Sequence, residues 1–434
     1  MKIAILGYDV EGRASFEYFS ARGHELAIRD RNLKLVVPDG IPSVLGDDYL
    51  DDLDQYDLLV RTPGLLPQVI LDKNPSVEDK ISSQINEFLR VCPTKNVIGV
   101  TGTKGKGTTS TLISKILEEA KFDVRLGGNI GVPPLTFLNE LTPDSWVVLE
   151  LSNFQLIDIK TSPHIAVCLA VVPEHLDWHY NMENYVEAKS NLFIHQKTDD
   201  IAIYFETNEL SKKVASTSKG HKTPFFASPG AEVSDDAIVI DGQEICKTNE
   251  LKLPGRHNWQ NICAAVTASW QVTQDIPSIR SALLSFTSLE HRIEFVKEAG
   301  GVRFYNDSYS SGLNATEAAI EAIAGKKVMI LGGYDRMLDI DEFGPFALSH
   351  QDDFRTFLII GQSAERLAGS LKRAGFTNYV LKPDLKTMKD VVIEAQSLAQ
   401  PGDAVVLSPG FASFDMFKNF TDRGQQFKAE VQNL

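Results

Sequence analysis

The stretch Val97-Ile-Gly-Val-Thr-Gly-Thr-Lys-Gly-Lys-Gly-Thr-Thr109 joins a short apolar run to a glycine-rich loop, and apolar residues at helical spacing follow it. This order predicts a strand, a phosphate-binding loop and a helix. Glycines let backbone N–H groups turn toward a polyphosphate, and the helix N-terminus adds its positive end. Lys106 is the candidate phosphate lysine and Thr108 the candidate metal-binding hydroxyl. The alternative is a plain strand-to-helix turn with solvated lysines, and Val100 stands where a strict Walker motif has glycine.

Similar apolar runs recur on both sides of this motif, each followed by turn residues and a segment of helical period. This alternation predicts an α/β fold with mainly parallel sheets. The pattern restarts three times, so we predict three domains, over residues 1–92, 93–288 and 289–434. The predicted strands are Lys2 to Gly7, Glu25 to Asp30, Asp57 to Val60, Asn96 to Val100, Ser145 to Leu151, His164 to Val172, Lys327 to Leu331, Thr356 to Ile360 and Ala404 to Leu407.

Length and composition agree with such a protein. The 434 residues are 43% hydrophobic and 23% charged, which is typical of a globular chain of about three domains. The net charge of −15 argues against a general nucleic-acid or anionic-membrane binder. No apolar stretch reaches the ~20 residues of a membrane span, and the N-terminus is unlike a signal peptide. Without CxxC spacing, we expect reduced core thiols and a cytoplasmic protein. The cysteines are Cys92, Cys168, Cys246 and Cys263.

Three residues beyond the loop carry candidate chemistry that the residues alone leave open. Glu150 closes an apolar strand, where a buried carboxylate needs a cation or donors, so it is either a metal ligand or a structural carboxylate. His175 is either a catalytic or metal-binding imidazole or an ordinary loop histidine. Lys189 falls on a predicted helix, where a lysine usually belongs to a solvated face.

A series of motifs along the chain resembles the Mur ligase family, whose members use ATP to form amide bonds in peptidoglycan precursors. The resemblance covers essentially all residues and is weakest from Thr198 to Lys252. The motifs are GTKGKGTT (102–109), GGNIG (127–131), LELSNFQL (149–156), EHLDWH (174–179), YVEAK (185–189), GRHNWQN (255–261), NDS (306–308), LGGYDR (331–336) and SPGFASFDMFKNFTDRGQQF (408–427).

The resemblance implies a Rossmann-like N-terminal domain that binds a UDP-linked substrate, a central P-loop ATPase domain and a Rossmann-like C-terminal domain that binds an amino acid. It implies addition of D-glutamate to UDP-N-acetylmuramoyl-L-alanine through an acyl phosphate, with ATP and two Mg²⁺ ions as cofactors. We further expect a monomer that neither binds nucleic acid nor inserts into membranes.

The resemblance also implies roles for individual residues. Lys106, His175, Lys189 and Glu150 would be catalytic, and Lys189 would react with CO₂ to form a carbamate. The metal ligands would be Thr108, Glu150, His175 and the Lys189 carbamate. ATP would be bound by Gly102, Thr103, Lys104, Gly105, Lys106, Gly107, Thr108, Thr109, Asn258, Asn261, Arg292 and Asp307. The UDP-linked substrate would be bound by Gly7, Tyr8, Asp9, Val10, Asp30, Thr62, Pro63, Gly64, Asn129 and His175. The amino acid would be bound by Arg336, Ser413, Phe414 and Phe420.

Three departures from the family pattern keep other functions open. Gly107 is an extra residue in the loop, which then resembles that of folylpolyglutamate synthase. Tyr309 stands where the pattern has a lysine, and Asn153 where it has a serine. The alternatives are therefore folate glutamylation, a ligase for another amino acid, and a nucleotide-binding regulatory or scaffold protein without turnover.

Overall fold

The computed structural model describes residues 1–174, 176–253, 255, 257–337 and 339–434. Its strands are β1 Lys2–Leu6, β2 Glu25–Asp30, β3 Ser43–Leu45, β4 Leu58–Arg61, β5 Ile81–Ser83, β6 Val97–Thr101, β7 Val124–Gly128, β8 Trp146–Glu150, β9 Ile165–Cys168, β10 Ile201–Phe205, β11 His221–Phe225, β12 Glu232–Ser234, β13 Ala237–Ile240, β14 Gln243–Lys247, β15 Glu294–Ala299, β16 Val302–Asn306, β17 Lys327–Gly332, β18 Phe354–Ile360, β19 Tyr379–Lys382 and β20 Ala404–Leu407.

The helices alternate with these strands. They are α1 Val10–Ser20, α2 Pro67–Lys73, α3 Gln84–Val91, α4 Lys106–Glu119, α5 Asn153–Leu156, α6 Leu176–His179, α7 Met182–Ile194, α8 Glu209–Ser216, α9 His257–Trp270, α10 Ile276–Ser285, α11 Leu313–Ala322, α12 Phe343–Ser349, α13 Ala364–Arg373, α14 Met388–Leu398 and α15 Phe420–Gln432. Among the described residues, none of these helices has both the length and the apolar character needed to cross a membrane.

The chain forms two compact units. The first comprises Met1–Leu251 and His257–Ser285. It contains a parallel sheet of order β3-β2-β1-β4-β5, a second parallel sheet of order β11-β10-β9-β6-β8-β7, and a small antiparallel sheet β12-β13-β14. One continuous apolar core reaches from Ile3 and Ile5 of β1 to Val147 and Leu149 of β8, so the two parallel sheets share buried surface.

The second unit comprises Lys252–Arg256 and Phe286–Leu434. Its sheet has the order β15-β16-β20-β17-β18-β19. β15 runs antiparallel to β16 and the other neighbours are parallel. Each face of the sheet carries its own apolar core, with helices on both sides.

The predicted α/β class with mainly parallel sheets is confirmed. Each apolar run that predicted a strand contains one, with ends shifted by up to four residues. The division into domains at residues 92 and 288 stays a prediction. The four cysteines are free thiols, and all except the partly buried Cys92 are buried. Burial raises the pKa of the Cys168 and Cys246 thiols to about 11 and that of Cys263 still further.

Candidate active site

The glycine-rich loop leaves the end of β6 in the interior of the second sheet and leads into α4. The N–H of Thr103 donates to the carbonyl of Ala170 at 2.8 Å, and the Thr103 hydroxyl lies 3.0 Å from the Tyr185 hydroxyl. A side chain at Gly102 (φ +142°) would collide with Leu169. The loop is therefore held against the segment that follows β9, at the edge where parallel strands end and open α/β sheets bind ligands.

Gly105 is the residue at which the loop turns into α4. Its φ is +88°, in the left-handed region that favours glycine. A β-carbon there would collide with the side-chain oxygen of Asn261 on α9. The Asn261 amide in turn donates to the Asn258 side-chain oxygen at 2.8 Å. The structure thus brings Asn261, a predicted ATP-binding residue about 150 residues away in sequence, against the phosphate loop, and Asn258 is bonded to it.

Two lysine ammonium groups converge on this loop. Lys106 Nζ donates to the carbonyl oxygens of Gly102 and Thr103 at 3.2 and 3.0 Å. Lys189 Nζ, from α7, donates to the same Gly102 oxygen at 2.9 Å. Lys189 is completely buried, so the reading of this lysine as a solvated helix residue is wrong.

The surroundings of Lys189 disfavour its charged form. Burial, and then the positive charge of Lys106, lower its pKa to about 7 from the ordinary 10.5. Cys168 and Glu174 oppose this shift. A large part of the Lys189 population therefore carries a neutral amine near pH 7, and a neutral amine is the nucleophilic form.

The end of β8 offers oxygen donors that suit a divalent cation. Glu150 is buried, and its Oε1 accepts a hydrogen bond from the Asn129 amide at 2.9 Å. Within the described part of the chain, Glu150 Oε2 and the buried Thr109 hydroxyl lack a hydrogen-bond partner. A hard cation prefers a carboxylate oxygen and would satisfy Glu150 Oε2. Thr108, the predicted metal hydroxyl, is half-buried in the first turn of α4.

His175, predicted as a catalytic, metal-binding and substrate-binding residue, lies outside the described residues. Among the residues that are described, no three His, Cys, Asp or Glu side chains cluster closely enough to hold a metal on their own. Nearby, the departure at Asn153 has a structural account. Its amide nitrogen lies 2.6 Å from Nε2 of the buried His179 in α6. The asparagine therefore helps to hold α6 against α5.

The N-terminal residues predicted to bind UDP lie together at the ends of β1, β2 and β4. The N–H of Tyr8 donates to the Asp30 carboxylate at 2.7 Å. Asp9 caps α1 through the N–H groups of Glu11 and Gly12, and it accepts a hydrogen bond from the Thr62 hydroxyl. A side chain at Gly7 (φ +93°) would collide with Thr62. Val10, also predicted for this site, begins α1 and is exposed.

One contact that the sequence analysis missed joins this region to the second sheet. The Gln155 amide donates to Glu11 Oε1 at 2.6 Å, and burial raises the pKa of Glu11 to about 7. Gln155 belongs to the LELSNFQL motif, but no local pattern reveals a partner 144 residues away. The predicted UDP segments are thus tied directly to α5.

In the second unit, Arg336 lines a cavity of about 350 Å³. Its guanidinium donates to the Ser311 carbonyl at 2.7 Å. The neighbouring Asp335 is held by two hydrogen bonds of 2.6 Å from Arg366, so its negative charge is compensated. The cavity is also lined by Gly312, Leu313, Glu317, Tyr334, Asp339, Ile340, Glu342, Phe343, Gly410 and Phe411. Arg336 therefore offers a cation to this cavity, while its predicted role in binding the amino acid stays a prediction.

The other residues predicted for the amino acid lie around the last loop of the unit. Ser413 is buried, whereas Phe414 and Phe420 are exposed. Tyr309, which replaces the family lysine, packs its ring edge against Phe420 at 5.1 Å between centroids. The Arg292 guanidinium lies 3.8 Å from the Tyr309 ring centre. Tyr309 therefore lacks the positive charge of the lysine in the family pattern, but its ring packs against another cation, the Arg292 guanidinium.

Asp307, predicted to touch ATP, is buried, and its carboxylate is engaged within the unit. It accepts 2.6 Å hydrogen bonds from the Ser310 and Ser408 hydroxyls and one of 3.1 Å from the Ile293 N–H. Burial raises its pKa to about 6. These contacts fix the NDS segment beside the end of β20.

Comparison with known proteins identifies the family of this chain. The chain is 36% identical to the UDP-N-acetylmuramoylalanine--D-glutamate ligase of Acetivibrio thermocellus, covering 100% of this chain and 96% of that protein. It is 33% identical to the ligase of the same name from Clostridium kluyveri, covering 100% of this chain and 97% of the relative. The chain belongs to the Mur ligase family.

Two domain models of the Mur ligase family match this chain. The Mur ligase middle domain matches residues 100–269, and the Mur ligase glutamate ligase domain matches residues 291–411. The predicted resemblance to this family of ligases, made from the motifs, is confirmed.

Solved Mur ligase structures share the fold. MurF from Acinetobacter baumannii has a TM-score of 0.64 at 17% identity, covering 99% of this chain and 90% of that one. MurF ligase from Thermotoga maritima, solved in complex with ADP, has a TM-score of 0.60 at 19% identity, covering 99% and 94%. The fold prediction for this Mur ligase is therefore confirmed, while the role of each site residue stays a prediction.

Proposed function

We propose that this Mur ligase adds D-glutamate to UDP-N-acetylmuramoyl-L-alanine at the expense of ATP. The observation that carries the proposal is the 36% identity, along the full chain, to a ligase named for this reaction. We expect the reaction to take place in the cytoplasm and the enzyme to be a monomer.

In the first step, the carboxylate of the UDP-linked substrate attacks the γ-phosphate of ATP, ADP leaves, and an acyl phosphate forms. Lys106 would neutralise charge on the transferred phosphoryl group, while backbone N–H groups from Gly102 to Thr109 hold the phosphates. Asn258 and Asn261, both on α9, would line the nucleotide-binding side of the pocket. In the second step, the amine of D-glutamate attacks the acyl carbon and displaces phosphate.

Two Mg²⁺ ions would supply Lewis-acid charge neutralisation at the phosphates when bound. Glu150 and Thr108 are the described residues proposed to hold them, with His175 and the modified Lys189. Among the described residues, no group bonds to Oε2 of the buried Glu150, which supports this assignment because a bound cation would replace the missing hydrogen bond.

Lys189 would complete the site as a carbamate. The neutral amine attacks CO₂, a nitrogen–carbon bond forms, and the nitrogen loses a proton. The product is an anion, so the repulsion between the two ammonium groups at Gly102 becomes an attraction between Lys106 and the carbamate. The lowered pKa of Lys189 supports this proposal, because it supplies the reactive neutral form near neutral pH.

The amino acid would bind in the second unit. Arg336 presents a guanidinium fork that matches a carboxylate, and Ser413, Phe414 and Phe420 would complete the pocket. The UDP moiety would lie against Gly7 to Val10, Asp30 and Thr62 to Gly64, with Asn129 lining the path to this UDP-linked substrate.

The test is phosphate release from ATP and Mg²⁺ with UDP-N-acetylmuramoyl-L-alanine, in bicarbonate buffer, with a panel of D- and L-amino acids. Release that requires D-glutamate supports the proposal. Release only with another amino acid would keep the mechanism and change the specificity. Release only with a folate acceptor and L-glutamate would favour the folate alternative, and no release with any acceptor would favour the scaffold alternative.

A further inference from the structure

Arg61, the last residue of β4, is a charged side chain buried in the first unit, with its side chain 0% exposed. A buried guanidinium is costly unless its donors are satisfied. The N–H donors of Arg61 bond to two different segments of the chain. Nη1 donates to the carbonyl oxygens of Thr62, Pro63 and Leu65, each at 3.2 Å. Arg61 therefore holds three carbonyl oxygens of the loop formed by residues 62–65, which we call the diphosphate loop and which immediately follows it.

The other side of the guanidinium faces the segment around α5. Nε and Nη2 form a two-pronged pair with the Asp158 carboxylate at 2.8 and 2.5 Å, and Nη2 also donates to the Phe154 carbonyl at 3.1 Å. The Asn86 amide of α3 donates to the Asp158 carbonyl at 2.9 Å and helps to hold that residue. Such a fork fixes direction as well as distance.

The hydrogen bonds to these carbonyls fix the orientation of the peptide groups in the loop. In a trans peptide unit the C=O and the following N–H point in opposite directions. The Pro63 carbonyl points at Arg61, so the N–H of Gly64 points away from it. The guanidinium thus directs the Gly64 N–H away from Arg61. Phosphate-binding loops likewise present backbone N–H groups to phosphate oxygens.

We propose that Arg61 is a positioning residue for the diphosphate of the UDP-linked substrate, with Asp158 as the residue that orients it. The inference rests on the proposed function, which puts UDP against Thr62, Pro63 and Gly64. It adds a link between sites. Asp158 and Phe154 belong to the segment that begins at Glu150, so the diphosphate loop and the candidate metal ligand are fixed to one another through Arg61.

The chain supplies a matched control in Arg29. Leu6 of β1 pairs with Arg29 of β2 on one side and with Arg61 of β4 on the other. Arg29 is also buried, but its guanidinium donates to the Asp51 carbonyl at 2.8 Å and the Tyr56 hydroxyl at 3.1 Å. Its side chain has no hydrogen bond to the loop at 62–65 among the described contacts.

The experiment compares Arg61→Lys, Arg61→Met and Asp158→Asn with Arg29→Lys. Calorimetry with UDP gives a Kd, steady-state assays give kcat and KM for each substrate, and a melting curve gives Tm. We expect Arg61→Lys to raise the UDP Kd and the KM for the UDP-linked substrate about tenfold, with kcat and the KM for ATP nearly unchanged. Asp158→Asn should give a smaller rise of the same kind. Arg29→Lys should lower Tm without changing the UDP Kd.

A UDP Kd unchanged in Arg61→Lys, or raised equally in Arg29→Lys, overturns the inference. If Arg61→Met fails to fold, Arg61→Lys and Asp158→Asn still decide. If the wild type turns over the muramyl substrate and Arg61→Lys binds UDP normally, the role of Arg61 is refuted and the proposed reaction stands. UDP binding that depends on Arg61, without turnover of the muramyl substrate, would refute the proposed reaction alone. Absence of both UDP binding and turnover in the wild type refutes both.

Discussion

Lys189 and Gly102 are 87 residues apart in the chain, yet the ammonium nitrogen of Lys189 lies 2.9 Å from the carbonyl oxygen of Gly102 in the phosphate loop. The same oxygen accepts a hydrogen bond from Lys106. The two cations therefore share one acceptor inside the protein, and their repulsion is part of what makes Lys189 reactive.

Lys189→Ala should lower ligase activity by a factor on the order of 10²–10³, since it removes the anion that the proposed carbamate would supply. A short-chain carboxylic acid that fills the space of the carbamate should restore part of the activity. Lys327→Met is the control, because Lys327 is also buried with a lowered pKa but donates to the Gly325 carbonyl in the second unit. Full activity in Lys189→Ala would refute the assigned role.

The same lysine predicts a pH dependence of stability. The folded pKa of Lys189 is about 7 and the unfolded one is near 10.5, so the unfolded chain binds more protons between these values and stability from this group rises with pH across that range. In CO₂-free buffer, Lys189→Met should therefore have a higher Tm than the wild type at pH 6, and the gap should shrink toward pH 10. A gap that does not change with pH would contradict the lowered pKa.

Glu150→Gln should weaken Mg²⁺ activation while leaving the fold intact. The amide oxygen still accepts the hydrogen bond from Asn129, but the negative charge at the unpartnered oxygen is lost. We expect the Mg²⁺ concentration for half-maximal activity to rise about tenfold or more. Glu87→Gln is the control, because Glu87 is equally buried but is bonded to Ser82 and Arg90. Equal Mg²⁺ titrations for both variants would rule out Glu150 as a ligand.

Gly105→Ala should raise the KM for ATP about tenfold or more, because the new β-carbon would strike the Asn261 side chain and displace the phosphate loop. Gly23→Ala isolates the backbone cost. Gly23 has a φ of +74° with no atom within 4 Å of an added β-carbon, so only a stability loss of about 1 kcal/mol is expected. The KM for ATP and the Tm of the two variants distinguish the collision with Asn261 from backbone strain. A similar KM for ATP in both variants would contradict the prediction.

Arg336→Ala should raise the KM for D-glutamate about 10- to 100-fold with a smaller effect on ATP, because one carboxylate of the amino acid would lose its guanidinium partner. Arg373→Ala removes an exposed arginine of the same unit that pairs with Asp341, and it should leave this KM unchanged. Amino-acid titrations at saturating ATP check the difference. An unchanged KM in Arg336→Ala would exclude this residue from the amino-acid pocket.

Much of the fold could be predicted from the sequence, because buried parallel strands are continuous apolar runs. β6, β8 and β20 are examples. The antiparallel sheet β12-β13-β14 was missed, although Asp241-Gly242 between β13 and β14 is a typical hairpin turn with both φ values positive. Its strands are short and mix charged with apolar residues, so they carry no continuous run.

The site was predictable only where a motif or the family resemblance named its residues. The phosphate loop carries its function in consecutive residues. Arg61 looks like an ordinary strand-end arginine, because its partner Asp158 is 97 residues away and only tertiary packing brings the two together. The same holds for Glu11 and Gln155, whose contact depends on how the first two sheets pack.

Three of the four thiols, those of Cys168, Cys246 and Cys263, are buried and should react slowly with reagents that attack cysteine. Alkylation and oxidation proceed through the thiolate, and burial keeps Cys168, Cys246 and Cys263 protonated at neutral pH. Burial also raises the pKa of Cys92. A single cysteine introduced on the surface should therefore react with a maleimide dye faster than the three buried thiols, so only the partly buried Cys92 needs to be replaced before a fluorescent probe is attached to either unit.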